Sequence, residues 1–157
     1  MISTDRLDLH PLGHEALRAV ADADRSGRRW HDDFPREDDR AAARITLRHE
    51  DPVFGCYAVV ERASATTVGT IGFFGPPESD GVVMVGYGLV GAAHGQGYAT
   101  EALQAIVRLA LADPRVQWIE ADPDRDNEAS HRVLEKAGFT IQREEGNARW
   151  YSIQRDN

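Results

Sequence analysis

The sequence predicts an α+β fold: a single mixed, mostly antiparallel sheet of about seven strands flanked by helices. Three observations point to it. The hydrophobic period changes from helical to strand-like at Val53. The strongest amphipathic helix, Tyr98 to Leu111, lies between two strand-like runs. Two further strand-like runs close the chain. A length of 157 residues fits one domain spanning 1–157.

Thr4 to His10 alternates around Leu7 and Leu9 and reads as a first strand. His14 to Asp24 puts Leu17, Val20 and Ala21 on one helical stripe. Residues 25–40 are polar and irregular, and a second helix is expected from about Glu37 to His49. Val53–Glu61, Thr67–Phe74 and Val82–Val90 are rich in β-branched and aromatic residues, and turn-forming stretches separate them, as in a meander. Tyr98–Leu111 carries a wide apolar stripe and stops at Asp113-Pro114. Val116–Ala121 is the fifth strand. Asn127–Ala137 is a helix with Gly138 at its C-terminal cap, and Phe139–Arg143 with Ala148–Gln154 form a closing hairpin. The helix between the fourth and fifth strands makes those two parallel.

Composition narrows the function. The chain is 41% hydrophobic and 28% charged, as ordinary globular proteins are. No apolar run approaches a membrane span and no signal sequence opens the chain, so no membrane partner and a cytoplasmic location are expected. The formal net charge of −8 opposes nucleic-acid binding. Cys56, the only cysteine, sits in an apolar run and reads as a core residue. His10 and His14 are separated by Pro11 and Gly13, which forbid a helical metal pair, so no metal is expected.

Two glycine patterns compete for a ligand. Gly86-Tyr87-Gly88-Leu89-Val90-Gly91 matches the dinucleotide fingerprint by letter, but it continues a strand where that fingerprint needs a helix to open. His94-Gly95-Gln96-Gly97-Tyr98-Ala99-Thr100 instead lies between a strand and the long helix. Glycines there let the backbone turn tightly, and the N–H groups of a helix start suit a diphosphate. On spacing alone, a plain glycine turn capping a helix remains an equal alternative.

His94-Gly95-Gln96-Gly97-Tyr98-Ala99, with the extension Thr100-Glu101-Ala102-Leu103, resembles the acetyl-CoA signature of the GNAT superfamily of N-acetyltransferases. Asn127-Glu128-Ala129-Ser130 with Val133 to Phe139 resembles the family's "N-x-x-S … E-K-x-G-F" helix, and Asp5-Arg6-Leu7-Asp8-Leu9 its opening strand. The pattern is most similar to the branch of ribosomal-protein-alanine and aminoglycoside N-acetyltransferases. The resemblance implies the GNAT fold, with the fourth and fifth strands splayed and acetyl-CoA lying between them. It implies pantetheine along Leu89 and Val90, diphosphate on the amides of Gly95 to Thr100 with His94 beside them, and Asn127 and Ser130 facing the pantetheine and sulfur. It further implies direct transfer of the acetyl group to a primary amine in a ternary complex. The acceptor would be a small-molecule amine or a protein N-terminus. Homodimers are common in this fold, which leaves a homodimer open.

The departures matter to the chemistry. Transfer needs a neutral amine, donors for the carbonyl oxygen and a proton for the leaving thiolate. Leu134 stands where many relatives carry a tyrosine that protonates the thiolate, which leaves Ser130 as the substitute. Met84 stands where relatives carry a glutamate base, which leaves Asp122 or Glu120 on the fifth strand, directly or through water, or an amine of low pKa that needs no base. Asp122 heads an Asp-Pro-x-x-x-Asn arrangement and is also a candidate for contacting the amine. Trp30 and Phe34, beside the acidic run Asp32 to Asp39, would line an acceptor pocket if exposed and merely anchor the loop if buried. A non-catalytic acyl-CoA-binding or regulatory domain is the alternative that the empty positions at Met84 and Leu134 favour.

Overall fold

The computed structural model describes residues 1–156. A single eight-stranded sheet runs through it in the order β1-β2-β3-β4-β5-β6-β8-β7. The strands are β1 (Ile2–Ser3), β2 (Leu7–Pro11), β3 (Cys56–Glu61), β4 (Thr66–Phe73), β5 (Val82–Leu89), β6 (Trp118–Ala121), β7 (Thr140–Glu145) and β8 (Ala148–Gln154). Four helices flank them: α1 (His14–Asp22), α2 (Glu37–Arg48), α3 (Tyr98–Leu111) and α4 (Glu128–Lys136), with a 3-10 turn at Gly91–Ala93. The sheet has one strand more than expected. Thr4 and Leu7 close a turn (Thr4 N–H to the Leu7 carbonyl, 2.9 Å) that takes the start of the first predicted strand out of the sheet and folds Ile2–Ser3 back onto the rest of it. The third strand starts at Cys56 instead of Val53, because the Asp51 carboxylate accepts from the Val53 and Phe54 N–H groups and holds them in a turn.

Neighbouring strands are antiparallel except β5 and β6, the parallel pair that α3 connects. That pairing is short: it covers Val82–Met84 against Trp118–Glu120. Beyond Met84, β5 stays with β4 as far as Leu89 and leaves β6, so the sheet splays open. Along β5 the side chains alternate between faces. A Cβ on Gly88 would strike Arg36 at the start of α2, whereas the neighbouring Tyr87 reaches Ser130 on α4. The two helices therefore cover opposite faces of the strand at the splay.

The core fixes that geometry. Leu103, Ile106 and Ala110 of α3 are fully buried and join the cluster with Leu7, Leu9 and Val59 of the sheet. The α4 helix ends as its glycine requires. Gly138 takes φ +97° and the Phe139 N–H donates back to the Leu134 carbonyl at 3.0 Å, which turns the chain into β7.

Candidate active site

The loop before α3 holds the most distinctive backbone in the molecule. Gly95 and Gly97 adopt φ of +75° and +81°, in the left-handed region that side chains resist. Gly97 is the N-cap of α3 and supplies no side-chain cap. Among the described residues, no backbone N–H from Gly95 to Thr100 donates to a protein acceptor. The first N–H after them to do so is that of Glu101, to the Gly97 carbonyl at 3.0 Å. Such a run of unpartnered donors at the positive end of a 14-residue helix has the chemistry of an anion cradle, because each donor gains by meeting a charged oxygen. What sets it apart from the equally uncapped start of α1 is the pair of left-handed glycines that leads into it.

The cradle is tied down from a distance. Arg6 donates through Nε to Glu101 at 2.8 Å and through Nη1 to the Gln96 carbonyl at 2.7 Å, and its guanidinium lies 4.5 Å from the centre of the Tyr98 ring. The Arg6 N–H and the Thr4 hydroxyl also donate to Glu101, and the Tyr98 hydroxyl donates to Glu61 at 2.8 Å. Burial pushes the Glu101 carboxyl up, but the donors from Thr4 and Arg6 outweigh it and hold it below its usual value. The turn between β1 and β2 thus positions the loop, a role that sequence spacing did not reveal. On the other side the His94 Nε2 donates to the Leu89 carbonyl at 2.8 Å, which fixes the loop to the end of β5.

The cradle forms one end of a cavity of about 380 Å³. Leu89, His94, Gly95, Gly97, Tyr98, Ala99, Thr100, Asn127 and Ser130 all line it, so most of the residues expected at the cofactor converge. Gln96 contributes backbone, not cavity wall. Val90 departs from expectation: it is fully buried, and its N–H is committed to the Val68 carbonyl at 2.8 Å. The Phe74 N–H likewise donates to the Met84 carbonyl of β5, so alternation turns the backbone of Tyr87 and Leu89 toward the open side of the splay. The strand donors that face the gap are therefore at 87 and 89, and not at 90.

A second cavity of about 320 Å³ lies beside the first, walled by α2, β4 and the β6–α4 loop. Arg36, Asp38, Tyr87, Asn127 and Ser130 border both cavities. At their junction the Tyr87 hydroxyl stands 2.7 Å from Ser130 Oγ and 3.3 Å from the Ser130 carbonyl. Burial pushes the Tyr87 phenol up to about 12, so it stays protonated at neutral pH. The Asn127 side chain caps α4 by accepting from the Ser130 N–H at 3.1 Å. That bond leaves the Ser130 hydroxyl free to face Tyr87. Leu134 is fully buried and offers no proton. Tyr87 is the residue that motif reading missed, since its partner lies 43 positions away.

Of the two candidate bases, only Asp122 lines the second cavity; Glu120, paired between Met84 and Ser152, lines neither. Partial burial raises the Asp122 carboxyl, and the charge of Asp124 adds to the effect. The loop that carries Asp122 is anchored on β8. The Arg149 N–H donates to the Pro123 carbonyl at 2.9 Å. Buried His131 donates through Nε2 to the Asp124 carbonyl while its Nδ1 accepts from Arg149, so one ring ties the loop to the strand. Trp30 and Phe34 do not reach either cavity. Phe34 is buried and stacks edge-on against Trp30 at 5.2 Å, while the Arg25 guanidinium lies 5.7 Å from the Trp30 ring centre, so the pair anchors its loop. The Cys56 thiol is buried and pushed up to about 12 by desolvation, which makes it inert as a nucleophile. Among the described residues there is no grouping of side chains able to hold a metal ion and no helix long and apolar enough to cross a membrane.

Residues 6–140 match the family described as the acetyltransferase (GNAT) domain. The chain belongs to the GNAT family. An uncharacterized N-acetyltransferase, YjdG of Bacillus subtilis (strain 168), is 32% identical over 88 residues, 56% of this chain and 52% of the relative. The match thus spans about half the length of that curated relative. Solved GNAT structures share the fold across nearly all of both chains. A ribosomal-protein-S5-alanine acetyltransferase from Vibrio fischeri has a TM-score of 0.73 at 16% identity, covering 99% of this chain and 97% of its own. The aminoglycoside acetyltransferase AAC(6')-Ib, solved with paromomycin and acetyl-CoA, has a TM-score of 0.70 at 22% identity, covering 96% and 94%.

Proposed function

We propose that this GNAT protein transfers the acetyl group of acetyl-CoA to a primary amine by direct attack in a ternary complex. The unpartnered N–H groups from Gly95 to Thr100 carry the reading, because they fit the diphosphate of such a cosubstrate. Acetyl-CoA would supply an acyl group activated as a thioester. Each remaining need has a residue. The gap-facing N–H of Tyr87 or Leu89 would stabilise the carbonyl oxygen. Tyr87 would donate to Ser130, and Ser130 would donate to the departing sulfur, which supports Ser130 in the role that Leu134 cannot fill. Asp122, with its raised carboxyl, would take the proton of the incoming ammonium from the second cavity. Two cavities meeting at one hydroxyl pair favour this over a purely binding role, since a binding domain needs only the first.

Following coenzyme A thiol release from acetyl-CoA across a panel of amines tests the transfer. Release that depends on an acceptor is the expected result. Tight acetyl-CoA binding with no release on any amine would establish the non-catalytic alternative. The tether of the cradle gives a second expectation. Glu101→Gln weakens the hold of Thr4 and Arg6, so the KM for acetyl-CoA should rise about three- to tenfold with kcat nearly unchanged. Because the folded Glu101 titrates below its unfolded value, the stability it lends is present above about pH 4.5 and is lost as pH falls through the lowered folded value. Acid titration of wild type against Glu101→Gln should show the two converging only in that acidic range.

A further inference from the structure

We propose that Arg36 recognises a carboxylate on the acceptor, so that the acceptor is a small apolar amino acid and not a polycationic amine. The inference rests on the acyl-transfer reading and names the substrate class of its second cavity.

Arg36 borders both cavities where they meet. Its guanidinium is held rigidly from behind. Nε and Nη2 donate to Asp39 at 3.1 and 3.0 Å, and Asp39 is fully buried and also accepts from the Thr70 hydroxyl at 2.5 Å. The face of the guanidinium also lies against the backbone of β5: a Cβ on Gly88 would sit 2.0 Å from Nη2 and 2.7 Å from Nη1, so a side chain there would have to displace Arg36. One edge is thereby used by the protein. The other edge differs, because among the described residues Nη1 of Arg36 donates to no protein acceptor. A guanidinium pre-organised on one edge and open on the other suits a carboxylate, which it can grip with two parallel donors.

The rest of the cavity limits what carries that carboxylate. Ala42, Ile45, Ile71, Phe73 and Phe74 give it an apolar wall, and Phe74 is 46% exposed at its edge. Its acidic lining is Asp38 and Asp122, the latter already assigned to the reacting amine. A polycation needs several carboxylates and no guanidinium; once Asp122 holds the reacting amine, the cavity has one carboxylate left, Asp38, and a guanidinium, Arg36, at its mouth. A zwitterion with an apolar side chain satisfies Asp122, Arg36 and the apolar wall together.

The test compares leucine with 3-methylbutylamine, its decarboxylated counterpart, and with spermidine. Binding to the coenzyme A-loaded protein is measured by calorimetry, and turnover is measured separately by thiol release. Leucine is expected to bind at least about tenfold more tightly than 3-methylbutylamine, and Arg36→Gln is expected to abolish that preference by weakening leucine alone. Because Arg36→Gln strands the buried Asp39, the double variant Arg36→Gln/Asp39→Asn serves if the single one does not fold. Equal or weaker binding of leucine, a preference that survives in a folded variant, or preferred use of spermidine would overturn the proposal. Absence of thiol release with every amine would instead overturn the transfer reading, while the binding comparison still decides the role of Arg36.

Discussion

Tyr87→Phe and Ser130→Ala should each lower kcat by about 10²-fold, the usual contribution of a positioned proton donor, with the affinity for acetyl-CoA little changed. The expectation follows from the junction of the two cavities. The leaving sulfur of a coenzyme A thioester departs as a thiolate, and a hydroxyl able to donate lowers the barrier to its departure. Leu134 cannot do so. Ser130 Oγ stands where both cavities meet and 2.7 Å from a phenol that stays protonated at neutral pH. If the two hydroxyls act as one relay, removing the second after the first costs little more. The double variant should therefore turn over about as slowly as either single one. Thiol release at saturating substrates reads this directly. Losses that multiply would mean two independent roles, and near wild-type rates in both single variants would remove the relay altogether.

Asp122→Asn should have the second large effect, again about 10²-fold at neutral pH if the carboxylate is the base. Its pH dependence is the sharper signature. Partial burial and the charge of Asp124 raise the Asp122 carboxyl above its usual value. A base works only when deprotonated, so wild-type kcat/KM should fall as pH drops through that raised value, and the Asp122→Asn variant should lack this limb. The stability change has the opposite sign. A carboxyl raised by folding lends stability below its unfolded value, and that stability is lost as pH rises through the folded one. At neutral pH the charged Asp122 thus strains the fold, and Asp122→Asn should leave stability unchanged or slightly higher while activity falls. A variant that lost activity by unfolding would show the reverse.

Sequence reading singled out the loop before α3 because that signal is local. Gly95 and Gly97 two residues apart, followed by an apolar helix, encode both the left-handed turns and the helix start. Strands and helices were legible for the same reason, whereas β1 was not, since two residues carry no period and depend on the Thr4–Leu7 turn. The parity of β6 grouped Glu120 with Asp122, but only the three-dimensional position of the splay separates them, one in the middle of the sheet and one at the cavity wall. Tyr87, Arg36 and Arg6 act through partners that are distant in sequence or through backbone, which no spacing rule reaches. Whether Trp30 and Phe34 line a pocket or anchor their loop could not be read from a charged stretch of sequence; the structure packs their rings against each other and away from both cavities.

The proposed cosubstrate site turns on the backbone from Gly95 to Thr100 meeting the diphosphate of acetyl-CoA. Parallel calorimetric titrations with acetyl-CoA, with S-acetyl-4′-phosphopantetheine, and with S-acetylpantetheine, which lacks every phosphate and the adenosine, bracket that contact. Charge-assisted hydrogen bonds contribute about 1.5–3 kcal/mol each, so acetyl-CoA should bind at least about 100-fold more tightly than S-acetylpantetheine. Equal affinities of that pair, or no binding of acetyl-CoA, would rule the cradle out as the diphosphate site.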